Sequence, residues 1–121
     1  MERLTEHLFI LASIDRLTLL SEIAIERRRL SQLSTKLSAT PQETSKHLTR
    51  LRDAKLIEKD SDGFFCLTAF GRIMLNLLPS IRFLTQNREY FSLLRYERLN
   101  AIRAAITDKL ATIPINKPRI Y

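Results

Sequence analysis

A chain of 121 residues has the size of one domain, able to bury roughly two-thirds of its unfolded surface in a single core or in a core with a helical appendage. Its 45% hydrophobic content, two glycines and scarce alternating segments favour a mainly helical globular protein, and its one cysteine, Cys66, excludes an internal disulfide framework and any multi-thiolate metal site. The net charge of +7 favours a polyanionic partner, nucleic acid or an anionic membrane surface, over an acidic or neutral one.

Glu2 and Glu6 interrupt the apolar residues of the N-terminus, and no later run approaches transmembrane length, so a soluble, cytoplasmic protein is expected. Leu4, Leu8, Leu11 and Ala12 keep helical spacing. Ser13 then offers an N-cap, with Asp15 in the first turn, and Leu17, Leu20, Ile23 and Ala24 continue a second helix. The basic run Arg27-Arg28-Arg29 reads as a short extended connection. A helix of about two turns follows on Leu30, Leu33 and Leu37, and Ser38-Ala39-Thr40-Pro41 stops it.

The next start is the best-defined local signal in the chain. Thr40 is a good N-cap, Pro41 suits the first helical position because its missing N–H has no partner there, and Glu43 completes a T-x-x-E capping box. Thr44, Leu48 and Leu51 form the inward stripe of this helix. Gln42, Ser45, Lys46, Thr49, Arg50 and Asp53 fall on the outward arc. Leu56 to Asp60 alternates as a strand, Ser61-Asp62-Gly63 is a tight turn, and Phe64-Phe65-Cys66-Leu67 is the returning strand of a β-hairpin. Thr68 caps another helix on Phe70, Ile73, Met74, Leu77 and Leu78, predicted to break or kink at Pro79. From Ser80 the chain reads as helical, and the two prolines of residues 114–121 predict an extended tail. The fold class expected is mainly α with a small β-hairpin, organised as a first domain over 1–78, a C-terminal helical segment over 79–113 and a tail over 114–121.

The order helix, helix, short helix, tight turn, capped helix, hairpin, helix resembles the winged helix-turn-helix of the ArsR/MarR-type superfamily. Leu11-Ala12-Ser13-Ile14-Asp15-Arg16-Leu17 and the block LSQLSTKLSATPQETSKHLTRLRDAKLIEKDSDGFFCLTAFGR look like archaeal transcription regulators of that kind. The resemblance covers about Leu4 to about Phe91, leaving no room for the separate sensing domain that such regulators often carry. It implies a DNA-binding regulator rather than an enzyme, with the helix opened by Pro41 in the major groove.

On that helix Gln can pair bidentately with adenine, Arg or Lys with guanine, and Ser or Thr with phosphates or bases. Gln42 and Arg50 are the expected base contacts, with Ser45, Lys46 and Thr49 beside them and Thr40 at the helix mouth. Glu43 could accept from a cytosine amino group, although capping is the plainer role. Arg29, Lys36 and Lys59 are expected on the phosphates. Between Glu26 and Lys59 nine cations face four acids, a local charge of +5, as backbone neutralisation requires; the alternative is a solvated helix face. Asp60 and Asp62 at the hairpin tip would be repelled by phosphates, so contact there is expected to be weak.

His7 and His47 lie on different helices and make no metal site, His47 reads as a packed structural residue, and Cys66 as a small buried apolar residue rather than an oxidant sensor. No nucleophile, base and orienting acid stand out together, and no cofactor is implied. Leu94, Leu99, Ile102, Ile106, Leu110 and Ile113 form an apolar stripe that a homodimer would hide, unless it folds back onto its own core. Two copies would present their groove-reading helices about one helical turn, roughly 34 Å, apart on an inverted repeat. Three other readings stand beside this one: a protein-interaction module of a transcription complex, a non-specific architectural DNA binder, and, more distantly, a membrane-surface binder.

Overall fold

The structure, a computed structural model, describes residues 1–94, 103–105 and 107–108. Among them the helices α1 (Glu2–Leu11), α2 (Ile14–Ile25), α3 (Leu30–Leu37) and α4 (Pro41–Asp53) precede the strands β1 (Ile57–Lys59) and β2 (Phe65–Leu67), and α5 (Ala69–Gln86) and α6 (Arg88–Leu93) follow. The described part is thus mainly helical with one two-stranded antiparallel hairpin. The chain divides into two compact units, Met1–Arg72 and a second beginning at Ile73.

In the first unit α2, α3 and α4 each begin with a side chain that answers an orphan N–H. Ser13 Oγ accepts from Arg16 N–H (3.3 Å) at α2, and Thr40 Oγ1 accepts from Glu43 N–H (3.2 Å) at α4. At α3 the direction is reversed, Arg29 N–H donating to Gln32 Oε1 (2.9 Å). Only one arm of the predicted capping box at Thr40 forms, because the Glu43 carboxylate makes no return bond to the Thr40 N–H. Ser38 closes α3 in the left-handed region (φ 52°), and the three residues Ser38 to Thr40 turn the chain into α4.

The core gathers Leu19 and Leu20 of α2, Leu33 of α3, and Leu48 and Leu51 of α4, all fully buried, over Phe65 of β2. Thr44 is equally buried, its hydroxyl donating to Thr40 O (3.0 Å), so this polar side chain leaves no unmet donor. Helix α1 forms as its spacing predicts, yet only Leu11 is buried, with Leu4 50% and Leu8 52% exposed.

The hairpin register pairs Ile57 with Leu67, Glu58 with Cys66 and Lys59 with Phe65. Both strands are shorter than predicted. Leu56 leaves the ladder because its N–H turns back to Leu51 O (3.0 Å), although its carbonyl still accepts from the N–H of its register partner Thr68 (3.1 Å). The basic connection is extended as expected and adds a short third rung: Arg28 and Phe65 exchange both backbone bonds (3.2 and 2.7 Å). The turn is built on Asp60, whose Oδ1 accepts the N–H groups of Asp62 and Phe64 (2.9 Å each), while Gly63 supplies φ 87°.

Thr68 caps α5 as predicted, its Oγ1 accepting from Gly71 N–H (2.9 Å). The predicted break at Pro79 does not end the helix, which runs on to Gln86. A proline removes one hydrogen bond and crowds one carbonyl, and the helix-forming residues on both sides carry the backbone past that loss. In the second unit α6 follows after Asn87, with Phe91 edge-on to Phe83 (5.8 Å) and Tyr90 (5.2 Å). No helix among the described residues is long and apolar enough to cross a membrane.

Candidate nucleic-acid interface

Helix α4 is polar on one side because its other side is spent on the core. Thr44, Leu48 and Leu51 are buried against α2 and α3, and Gln42, Glu43, Ser45, Lys46, Thr49, Arg50, Arg52 and Asp53 are all exposed. At about 100° per residue, Gln42, Lys46, Thr49 and Asp53 stand opposite the buried stripe. Glu43 and Arg50 turn toward one flank, Ser45 and Arg52 toward the other. On the first flank Arg50 borders an open depression of about 300 Å³, shared with Asp53 and Ala54 and with Glu6, His7, Phe9 and Ile10 of α1. Arg50 therefore sits at the edge of the outward face rather than at its centre, where Lys46 is better placed.

Hydroxyl chemistry separates the candidates further. Thr49 Oγ1 donates to Ser45 O (2.9 Å), so its proton is committed within the helix and it can only accept. Thr40 Oγ1 accepts from the Glu43 N–H and keeps its own proton for an anion at the mouth of α4, where the helix dipole also favours negative charge.

The cations around α4 differ in how much of their charge is spoken for. Arg28 has a side chain only 13% exposed and is paired with Glu22 (3.2 Å) and Glu26 (3.4 Å), a structural role. Arg27 is paired with Asp60 (3.0 Å). Arg29, Lys36, Lys46, Arg50, Arg52, Lys55 and Lys59 are exposed and form no ion pair among the described residues. Lys36 lies in the last turn of α3, Lys59 on β1 with its ammonium 5.5 Å from the Phe65 ring centre, and Arg29 at the entry to α3.

Of the two acids at the hairpin tip, Asp62 is exposed, whereas Asp60 is paired. Asp60 organises the turn and neutralises Arg27, and its carboxyl is held below the ordinary aspartate range, first by the Phe64 N–H, then by the Asp62 N–H and the Arg27 guanidinium, with burial acting the other way. A depressed native value stabilises the fold fully above the unfolded-state value of about 4, and that stabilisation is lost as pH falls through the native one. Asp60→Ala is expected to lower the thermal midpoint at neutral pH, with the gap to the unsubstituted chain closing below about pH 4. A gap unchanged down to about pH 2 would contradict the ionised turn.

His47 lies beside α2, its Nδ1 3.3 Å from Arg16 Nη1 and its Nε2 3.7 Å from Asp15. His7 stands edge-on to Phe70 and 3.1 Å from the Ala54 carbonyl. No group of three metal-ligating side chains occurs among the described residues. Cys66 is half-buried, and burial, then the Glu58 and Asp60 carboxylates, push its thiol up, which starves it of the reactive thiolate. Leu94, half-buried, closes α6; Leu99, Ile102, Ile106, Leu110 and Ile113 lie outside the described residues, as does the tail.

No protein-family model, curated protein or solved structure matches this chain. Its functional reading is carried by the exposed face of α4 and the cations around it.

Sequence reasoning missed Arg27, Phe64 and the pairing role of Asp60. The alternation of an extended run was the available signal: with Arg28 turned inward, Arg27 and Arg29 share the opposite face.

Proposed function

We propose that the first unit is a winged helix-turn-helix that binds double-stranded DNA, with α4 in the major groove, and that the protein is a sequence-specific transcription regulator. The observation carrying this reading is the outward face of α4, exposed and rich in donors along its length, on a helix whose back is locked to α2 and α3. Gln42 and Lys46 read base edges from the centre of that face, Arg50 works from its α1 edge, and Ser45 and Thr40 donate to the backbone. Arg29, Lys36 and Lys59 neutralise phosphates on either side, which positions the helix without reading sequence. Homodimerisation through the C-terminal segment, an inverted-repeat operator and a cytoplasmic location complete the proposal. An acidic hairpin tip would favour a docking module instead, and the Asp60–Arg27 pair weakens that argument.

Selection of bound duplexes from a random pool, followed by measurements on single-base variants of the selected site, tests the proposal. Gln42→Ala is expected to relax preference at one base position, at a cost of about 1–3 kcal/mol, whereas Lys36→Ala weakens every duplex alike. A pool that returns no motif would make the protein an architectural binder instead.

A further inference from the structure

Arg27 and Arg29 both bring their guanidinium carbons to 4.5 Å from the centre of one aromatic ring, that of Phe64. The backbone dictates this. Antiparallel pairing of Arg28 with Phe65 sets Arg29 across from Phe64 on the face opposite the buried Phe65, and alternation returns Arg27 to that same face. We propose that these two arginines, braced on Phe64, form a second phosphate-binding point for duplex DNA, with Asp60 as the resting counter-ion of Arg27 that a backbone phosphate displaces. This inference rests on the DNA-binding reading and adds a contact outside α4.

The chemistry suits a phosphodiester. Stacking occupies the flat face of a guanidinium and leaves its edge N–H donors free, and that edge matches phosphate oxygens bidentately. The ring also limits the rotamers of two long side chains, so less freedom is lost when they bind. The Arg27 side chain is 57% exposed, so an incoming phosphate can reach it. Asp60, by contrast, is tied to the turn by two backbone N–H groups and cannot follow the guanidinium away. Exchange of a fixed carboxylate for a phosphate therefore costs one exposed ion pair, worth little in water, and gains a contact that releases a condensed counterion.

The full chain is titrated against a mixed-sequence duplex over a salt series by fluorescence anisotropy, with Lys36→Ala, on α3, as the control. Arg27→Ala and Arg29→Ala are each expected to reduce the slope of log affinity against log salt by about 0.9 per protomer. Base preference should be unchanged. Asp60→Asn, which keeps an oxygen for the turn N–H groups but removes the charge, is expected to tighten binding by about two- to fivefold. Phe64→Leu, which keeps both charges, should weaken binding while its far-ultraviolet dichroism remains that of the unsubstituted chain. Unchanged slopes in the arginine variants, with a reduced slope in Lys36→Ala, would overturn the cluster and leave the DNA-binding reading standing. Absence of salt-sensitive binding by the unsubstituted chain would overturn both.

Discussion

Gly71→Ala is expected to destabilise the first unit by about 3 kcal/mol or more. A Cβ at position 71 would lie 2.0 Å from the Leu56 carbonyl oxygen and 2.9 Å from its carbon. Both obstacles are backbone, so no side-chain rotation relieves them. That same carbonyl accepts from the Thr68 N–H, the Thr68 hydroxyl donates to the neighbouring Lys55 carbonyl (2.6 Å), and the hydroxyl oxygen in turn accepts the Gly71 N–H. Moving Leu56 aside would therefore break the cap of α5 together with the approach to the hairpin. Urea denaturation measures the loss. Gly63→Ala is the control: its Cβ would meet open space and its cost is that of a left-handed residue, about 1 kcal/mol. Equal and small losses at both positions would contradict the close approach of α5 to Leu56.

Arg16→Ala is expected to cost about 2–3 kcal/mol, unusual for an arginine in so basic a protein. Arg16 is only 5% exposed. Its Nε donates to Ile10 O and its Nη2 to Phe9 O (3.2 Å), so the guanidinium closes the last turn of α1 from within α2. The third arm meets His47 Nδ1 on α4 at 3.3 Å, and since a guanidinium can only donate, that nitrogen is the acceptor. Burial, and after it the positive charge of Arg50, hold the Arg16 guanidinium below its ordinary value, with Asp15 acting in the opposite direction. One side chain thus ties α1, α2 and α4 together. Arg16→Lys should restore little, because an ammonium is a point donor and cannot reach three separated acceptors as a planar fork does. A thermal melt in which the lysine variant matches the unsubstituted chain would show that charge, not geometry, is what the site requires.

These residues mark where the sequence was and was not informative. The caps at Ser13, Thr40 and Thr68 were legible because a capping hydroxyl and the N–H it accepts lie three residues apart, and the inward stripe Thr44, Leu48, Leu51 was legible because burial follows a 3.6-residue period. Thr68 could be read as a cap; that Gly71 must then pass against Leu56 could not, since that contact joins residues fifteen apart through backbone atoms alone. Arg16 sat unnoticed because arginine belongs on the surface by default, and nothing local announces a buried one. The Asp60–Arg27 pair spans 33 positions, so a count of charges along the hairpin could not show that Asp60 is already paired. At Pro79 the helix does not break, the local rule being outweighed by the helix on either side. Of the face of α4, exposure was legible residue by residue, whereas the drift of Arg50 toward α1 depended on where α1 packs.

The account stands on an outward, cationic α4 face that meets the DNA backbone as well as the bases. Its most direct test is equilibrium binding of the full chain to duplex DNA between about 50 and 200 mM salt. With Arg27, Arg29, Lys36 and Lys59 on phosphates, log affinity should fall linearly with log salt at a slope of about −4 per protomer, and Lys36→Ala should flatten it. Weak binding that does not change across the series would contradict it.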